Sequence, residues 1–511
     1  MKKVMKRFLT TLIAFALVVT TAFIAGRQDR VVADVCKKTT KSVQTKVTAP
    51  KYVFLFIGDG MSYPQVQSAS DYLGAMSQPS GSTILTGGKK LSFMKFPVVG
   101  SATTFDSTSF CPDSASTATS ISTGHKTYSS VINMDETKKI SYETVSEKLK
   151  KQLGYKIGVI SSVNINHATP AAFYAHQPSR NNYYEIGKEL VASGFDYFAG
   201  GAVIAPTGAN KDQKSIYDLA KEAGYKVVTT TADAKALTSK DGKAIVIGET
   251  LADSDSLSYE NDRKSDEWAL ADYVKKGIDV LDNKKGFFMM VEGGKIDWAC
   301  HANDAGSSIN DTIALSNAVD QAVQFYNQHP TETLILVTGD HETGGLTIGY
   351  AGTNYDTYLA NLSNQKTSYA KFDSNYVANY KKNNTPFAQV LSDIKTNFGL
   401  ITSNDSDAAK NPKLVLTDYE LQLLKKAYDR TMAQTKEKQT QEEYVLYGSY
   451  EPLTVTITHL LNNKSGINFS SYSHTGLPVG VYAEGVGQDL FGGYYDNTNI
   501  YSNLANLLNI K

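Results

Sequence analysis

Residues 52–60 read YVFLFIGDG: an unbroken apolar run, then glycine, then an acid. A run this short, with no polar alternation, suits a strand covered on both faces, as in a largely parallel sheet. Runs of the same form recur at 156–160, 244–247, 287–291 and 334–337, each bounded by glycine or charge. Helical candidates lie between them at 143–153, 184–192, 215–223, 268–281 and 309–326, and Gly154, Gly194 and Gly224 stand where helices stop. Strand alternating with helix predicts an α/β fold, a three-layer sandwich with a largely parallel central sheet.

Working outward, the rhythm breaks over about 352–466. That stretch is rich in Asn, Lys, Ser and Tyr and reads as an irregular insertion decorating the core, with one helix starting at the Thr417-x-x-Glu420 capping box. The catalytic domain is expected over 49–511. Before it, Lys2, Lys3, Lys6 and Arg7 precede an uncharged apolar run, the form of a signal peptide over 1–26 whose cleavage point is open. The run is long enough that an uncleaved anchor is the alternative, and membrane association is expected only in that case. Residues 27–48 form a polar spacer. The body is therefore expected outside the cytoplasm, periplasmic or extracellular, and soluble.

Lys plus Arg equals Asp plus Glu at 51 each, so no global field recruits nucleic acid, and an anionic substrate needs a local site. Cys36, Cys111 and Cys300 are too few for a disulfide framework; at most one pair forms, and which one is open.

Acids and imidazoles gather just past the apolar runs. Asp59 follows the first, Glu292 follows FFMMV, and Asp340-His341 follows LILVTG. In open α/β sheets, sites assemble at the carboxyl ends of strands. One such acid is ordinarily a solvated loop residue; several at one edge favour a site. Asp297 and His301 stand at i and i+4, sharing a face if helical, a spacing suited to zinc. His474 adds another imidazole, and the set reads as a multi-metal centre. His176, His329 and His459 lack such a context and are expected to be structural or surface residues. In CPDSASTATSISTG, Ser114 stands where a helix of small residues begins, a place that suits phosphate and an activated hydroxyl. Taken alone, that segment reads better as an N-cap at Asp113 or Ser114; the candidate metal ligands elsewhere reverse that preference.

These segments together resemble the alkaline phosphatase family. The carriers are GDGM at Asp59, PDSA-x-TA at Ser114, STG-x-K through Lys126, HATPAA from His167, and HQPSR ending at Arg180. VEGGKID-x-x-x-H from Glu292 to His301, TGDHETGG at Asp340-His341, and HTG at His474 complete the set in order. The resemblance implies a metal-dependent phosphomonoesterase working through a phosphoserine at Ser114, with Arg180 gripping two phosphate oxygens. It implies two zinc ions, one held by Asp297, His301 and His474, the other by Asp59, Asp340 and His341. A third metal, usually magnesium, would lie among Glu292, Thr169 and Asp59 with His167 nearby. Small phosphate monoesters are the implied substrates, and a homodimer is the common assembly.

The chain departs from the best-known bacterial members at His167 and Trp298, where they carry Asp and Lys, and at Ser62, where Gly is common. The expectation is a third site with weaker magnesium binding, or one that accepts zinc or cobalt. Two alternatives stay in view: a phosphodiesterase of the same superfamily, and a non-catalytic extracellular metal-binding protein. Retention of Glu292 and Thr169 speaks against the first, and of Ser114 and Arg180 against the second.

Overall fold

The computed structural model describes residues 49–79, 84–434 and 438–511. The expected signal segment 1–26 and spacer 27–48, Cys36 included, lie outside the described residues.

The strands in chain order are β1 (Tyr52–Gly58), β2 (Val98–Thr103), β3 (Lys156–Asn164), β4 (Tyr197–Gly201), β5 (Lys226–Val228), β6 (Ala244–Ile247), β7 (Phe287–Gly293) and β8 (Thr333–Gly339). Two-residue strands β9 (Glu342–Thr343), β10 (Thr347–Ile348), β11 (Ile467–Asn468) and β12 (His474–Thr475) follow, then β13 (Val479–Gly485) and β14 (Gly493–Asp496). A ten-stranded sheet runs β14-β2-β13-β8-β1-β7-β3-β4-β6-β5. From β8 to β5 every pairing is parallel, and only β13 is reversed, antiparallel to both β8 and β2.

YVFLFIG is buried at every position because successive side chains feed opposite faces and both faces are covered. Phe54 and Phe56 enter one apolar cluster with Val274, Ile309 and Phe325, from helices Leu270–Leu281 and Ala305–Gln328. Val53, Leu55 and Ile57 enter the other with Ala115, Ala118 and Ile121 of helix Ser114–Thr123. The three-layer sandwich is thus observed.

The predicted strands appear within a few residues of their expected ends. The predicted helices appear too, though 143–153 divides into an α turn, Val145–Lys148, and a π turn, Leu149–Leu153. Strands β2, β4, β5, β13 and β14 had no matching expectation, being short or broken by glycine. The 352–466 segment is more regular than expected. It carries helices Phe387–Phe398, Asp418–Ala433 and Pro452–Ser465, the second starting at the Thr417 capping box. Its Leu359, Phe372, Ile394 and Leu461 join the same cluster as Phe54. In helix Pro452–Ser465 polar residues are buried alongside the apolar ones, Thr454, Thr456, Thr458 and Asn462 among them, which masks its apolar period in the sequence. Among the described residues no helix is long and apolar enough to cross a membrane.

Candidate metal centre and nucleophile

Register places the site. Gly58 pairs with Gly293 of β7 and Gly339 of β8, so three strands end level at one sheet edge. The chain turns immediately afterwards into Asp59 and into Asp340-His341, and Glu292 sits one residue inside, opposite Ile57 and Ser161. The tightness of the edge explains a glycine: a Cβ on Gly339 would stand 1.9 Å from the Met61 carbonyl oxygen. Past β8 the chain forms β9, which pairs antiparallel with β12, setting His474 against Thr343. The rings of His341 and His474 then stack with centroids 3.6 Å apart.

Helix Ser114–Thr123 is made, Ile121 apart, of small residues, all buried, which lets it pack closely against helices Ala168–Ala171 and Thr498–Leu508. Asp113 caps it, accepting from the Ser116 amide at 3.1 Å, and Gly124 ends it with φ 77°. Ser114 Oγ lies 3.1 Å from His341 Nε2 and 3.4 Å from Asp59 Oδ1. Both readings of Asp113-Ser114 therefore apply: the aspartate is the cap, and the serine faces the acid-imidazole cluster.

Three sets of ligand-type atoms converge within 4.8 Å: Asp297 with His301 and His474, Asp59 with Asp340 and His341, and Asp59 with His167 and Glu292. In the first set His301 Nδ1 donates to the Tyr472 carbonyl at 2.6 Å, and His474 Nδ1 to the Pro112 carbonyl at 2.6 Å. That assigns a proton to each Nδ1 and turns the two Nε2 atoms, 3.0 Å apart, toward one another, both beside Asp297. In the second set the Asp340 carboxylate accepts from the amides of Gly60 at 3.2 Å and His341 at 3.0 Å. Around the third, Asp59 Oδ2, His167 Nδ1, Thr169 Oγ1 and Glu292 Oε1 are buried without a hydrogen-bond partner among the described residues. Such orphans cost free energy unless a cation meets them.

Charge tells the same story. Asp59, Glu292, Asp340 and His341 have no exposure and Asp297 has 4%. Burial and the neighbouring Asp59 push the Glu292 carboxyl well above its usual range and that of Asp340 to about 8. Against burial, Asp340 and Asp59 raise the His341 imidazole to about 10. Burial lowers His167 to about 3, with Arg180 adding to it. Despite burial, His301, His474 and His341 hold Asp297 well below the carboxylate range. Crowded buried acids of this kind are complementary to divalent cations.

Arg180 borders the cluster. Its Nη1 donates to Asp113 Oδ2 at 2.9 Å, and Nη2 lies 3.3 Å from His167 Nε2. Trp298 meets His167 edge to face, with centroids 5.8 Å apart and planes at 76°, and the buried Lys295 ammonium sits 4.6 Å from the Trp298 ring centre. Lys126, carried by a matching motif, is bound away from the metal-ligand sets, to Asn497 at 2.7 Å and Asp496 at 3.1 Å. Cys111 and Cys300 are free thiols.

Sequence reasoning missed the residues that orient the others. Thr343 donates to Asp297 at 2.5 Å, Ser161 bonds Glu292, and Asp113 steers Arg180. Thr343 and Asp113 lie inside matching motifs; nothing flagged Ser161, and the carbonyls of Pro112 and Tyr472 carry no sequence signal.

The alkaline phosphatase family model matches residues 50–510. Alkaline phosphatase 3 of Bacillus subtilis is 30% identical over 99% of both chains, and alkaline phosphatase 4 of the same organism is 29% identical over 88% of this chain and 86% of its own. Among solved structures, the cold-active enzyme of a psychrophilic Shewanella superposes with a TM-score of 0.71 at 26% identity, covering 89% of this chain and 99% of its own. The Thermus thermophilus enzyme shares the fold, with a TM-score of 0.72 at 21% identity, over 93% of this chain and 95% of its own.

Proposed function

The chain belongs to the alkaline phosphatase family, and from that premise we propose a phosphoserine mechanism centred on Ser114. It is an alkaline phosphatase acting on phosphate monoesters, in a metal-dependent family. The observation that carries the mechanism is the Ser114 hydroxyl, 3.1 Å from His341 and 3.4 Å from Asp59, inside a cluster of buried acids.

Asp297, His301 and His474 would hold one zinc ion and Asp59, Asp340 and His341 a second. Asp59, Glu292 and Thr169, with His167, would hold the third ion. Their orphaned buried oxygens, and the paired Nε2 atoms of His301 and His474, support that fit. Bound cations neutralise phosphate oxygens and make the protons of the serine hydroxyl and of water easier to lose. Arg180 forks onto the phosphate, steered by Asp113. The Ser114 oxygen attacks phosphorus in line, a P–O bond to the alcohol breaks, and water later cleaves the Ser114 ester to release inorganic phosphate. At the third site His167 brings a neutral nitrogen where an aspartate would bring charge, so the site would bind magnesium more weakly or would accept zinc or cobalt. Export, directed by the N-terminal basic and apolar segment, and a homodimer belong to the same reading; the dimer rests on family resemblance alone.

The test is a short incubation with a labelled aryl phosphate followed by an acid quench. Label is expected on the Ser114 peptide, with rates rising above neutral pH and a diester analogue turned over far more slowly. Label that persists in Ser114→Ala, or a faster diester reaction, overturns the reading.

A further inference from the structure

The two histidines of the first ligand set come from segments distant in sequence, and a single buried side chain stitches them together. Asn303 closes the helix Lys295–His301 with φ 50°, a left-handed conformation that asparagine tolerates better than most residues. It is 2% exposed. Its amide Nδ2 donates to the Cys300 carbonyl and to the Ser471 carbonyl, both at 2.9 Å. One bond therefore ends beside His301. The other ends beside Tyr472, whose carbonyl orients His301, in the loop that leads to His474.

The side-chain oxygen and the backbone carbonyl of Asn303 are held from the insertion. His459 Nε2 lies 2.9 Å from Asn303 Oδ1, and Asn462 Nδ2 donates to the Asn303 backbone oxygen at 2.7 Å. Both partners lie on helix Pro452–Ser465. Because Nδ2 already serves two carbonyls, Oδ1 must face His459, and so His459 Nε2 must carry the proton. Every hydrogen-bonding group on the Asn303 side chain is thus used, in a place with almost no access to water. The insertion also holds the far end of Tyr472, whose hydroxyl donates to the Leu446 carbonyl at 2.6 Å.

We propose that Asn303 and His459 form a clamp that positions His301 and His474, making the last helix of the insertion a positioning element for the first metal. His459, expected to be a structural or surface residue, belongs to none of the ligand sets among the described residues and acts through Asn303. The proposal rests on the reading of Asp297, His301 and His474 as a metal-binding set. Outer partners of ligating residues typically change metal affinity about 10–100-fold when lost, because ligand directions are then no longer fixed before the ion arrives.

The experiment uses the full-length zinc-loaded protein and a chromophoric chelator that competes for zinc, with thermal denaturation of each variant alongside. His459→Leu and Asn303→Gly, which keeps the left-handed backbone, are expected to weaken zinc at one site about 10–100-fold. His459→Gln, which restores a donor, should stay within about threefold of the parent. A lower melting temperature with unchanged zinc affinity would mean the residues only pack, and would overturn the clamp. If Asn303→Gly fails to fold, His459→Leu against His459→Gln decides alone. Asp297→Asn separates the two claims: if it leaves zinc stoichiometry intact, the metal assignment itself fails, whatever the clamp variants show.

Discussion

Asp113 performs two tasks with two oxygens. Oδ1 caps helix Ser114–Thr123 while Oδ2 holds Arg180. Asp113→Asn keeps an acceptor for the cap and removes the charge that orients the guanidinium. A loosened Arg180 grips phosphate less well, so the inhibition constant for inorganic phosphate should rise about tenfold, ~1.4 kcal/mol, with little change in melting temperature. A second residue titrates away from the acid-imidazole cluster. His176 lies 3.3 Å from Glu147 and 3.5 Å from Glu189. Burial opposes its charge, but those carboxylates raise it from 6.5 to about 10. A raised folded-state value means the stabilisation is complete below about pH 6.5 and lost as pH climbs through about 10. Denaturation of His176→Gln against the parent should differ by about 1.5–3 kcal/mol at pH 6 and converge toward pH 11. Curves that stay parallel across that range would remove His176 as the cause.

Among elements, the strand ends are the most constrained. Gly339→Ala drives a Cβ to within 1.9 Å of the Met61 carbonyl oxygen, a backbone atom that cannot swing aside. The change should cost about 3 kcal/mol or more and displace Asp340 and His341 with it. Gly224→Ala is the contrast: its φ of 84° is unfavourable for alanine, but open space surrounds the new carbon, so about 1–2 kcal/mol is expected. Chemical denaturation of the two variants checks both values, and equal losses would mean that the close approach at β8 is not what selects glycine. The helices of 352–466 show how an element hides in sequence. In helix Pro452–Ser465 buried Thr454, Thr456, Thr458 and Asn462 share the packed faces with leucine and isoleucine, so no single apolar stripe is legible.

For the whole molecule, the site is a concentration of buried negative charge at one sheet edge, and cations would stabilise the fold as well as the chemistry. A ligand present at a thousandfold excess over its dissociation constant adds about 4 kcal/mol to stability. Removal of metal by a chelator should lower the melting temperature by on the order of 5–10 °C, abolish activity, and both should return with zinc. Calorimetry of metal-free and reloaded protein is the measurement; a metal-free protein that melts unchanged would break the link between the acid cluster and stability.

The α/β alternation, strands β1, β3, β6, β7 and β8, the family resemblance and the candidate ligands were legible along the chain. Each depends on local signals: an apolar run, a glycine stop, an acid after a strand, and Asp297 and His301 four residues apart. What tertiary structure decided was the company those residues keep. The level ending of Gly58, Gly293 and Gly339, the reversal of β13, and the β9–β12 pairing that lays His474 on His341 join segments more than a hundred residues apart. The carbonyls of Pro112 and Tyr472, which orient two imidazoles, belong to groups every residue possesses, so no side-chain pattern could mark them. Asn303 and His459 look ordinary in the chain, and only the packing of helix Pro452–Ser465 against the loop beyond His301 makes one the partner of the other.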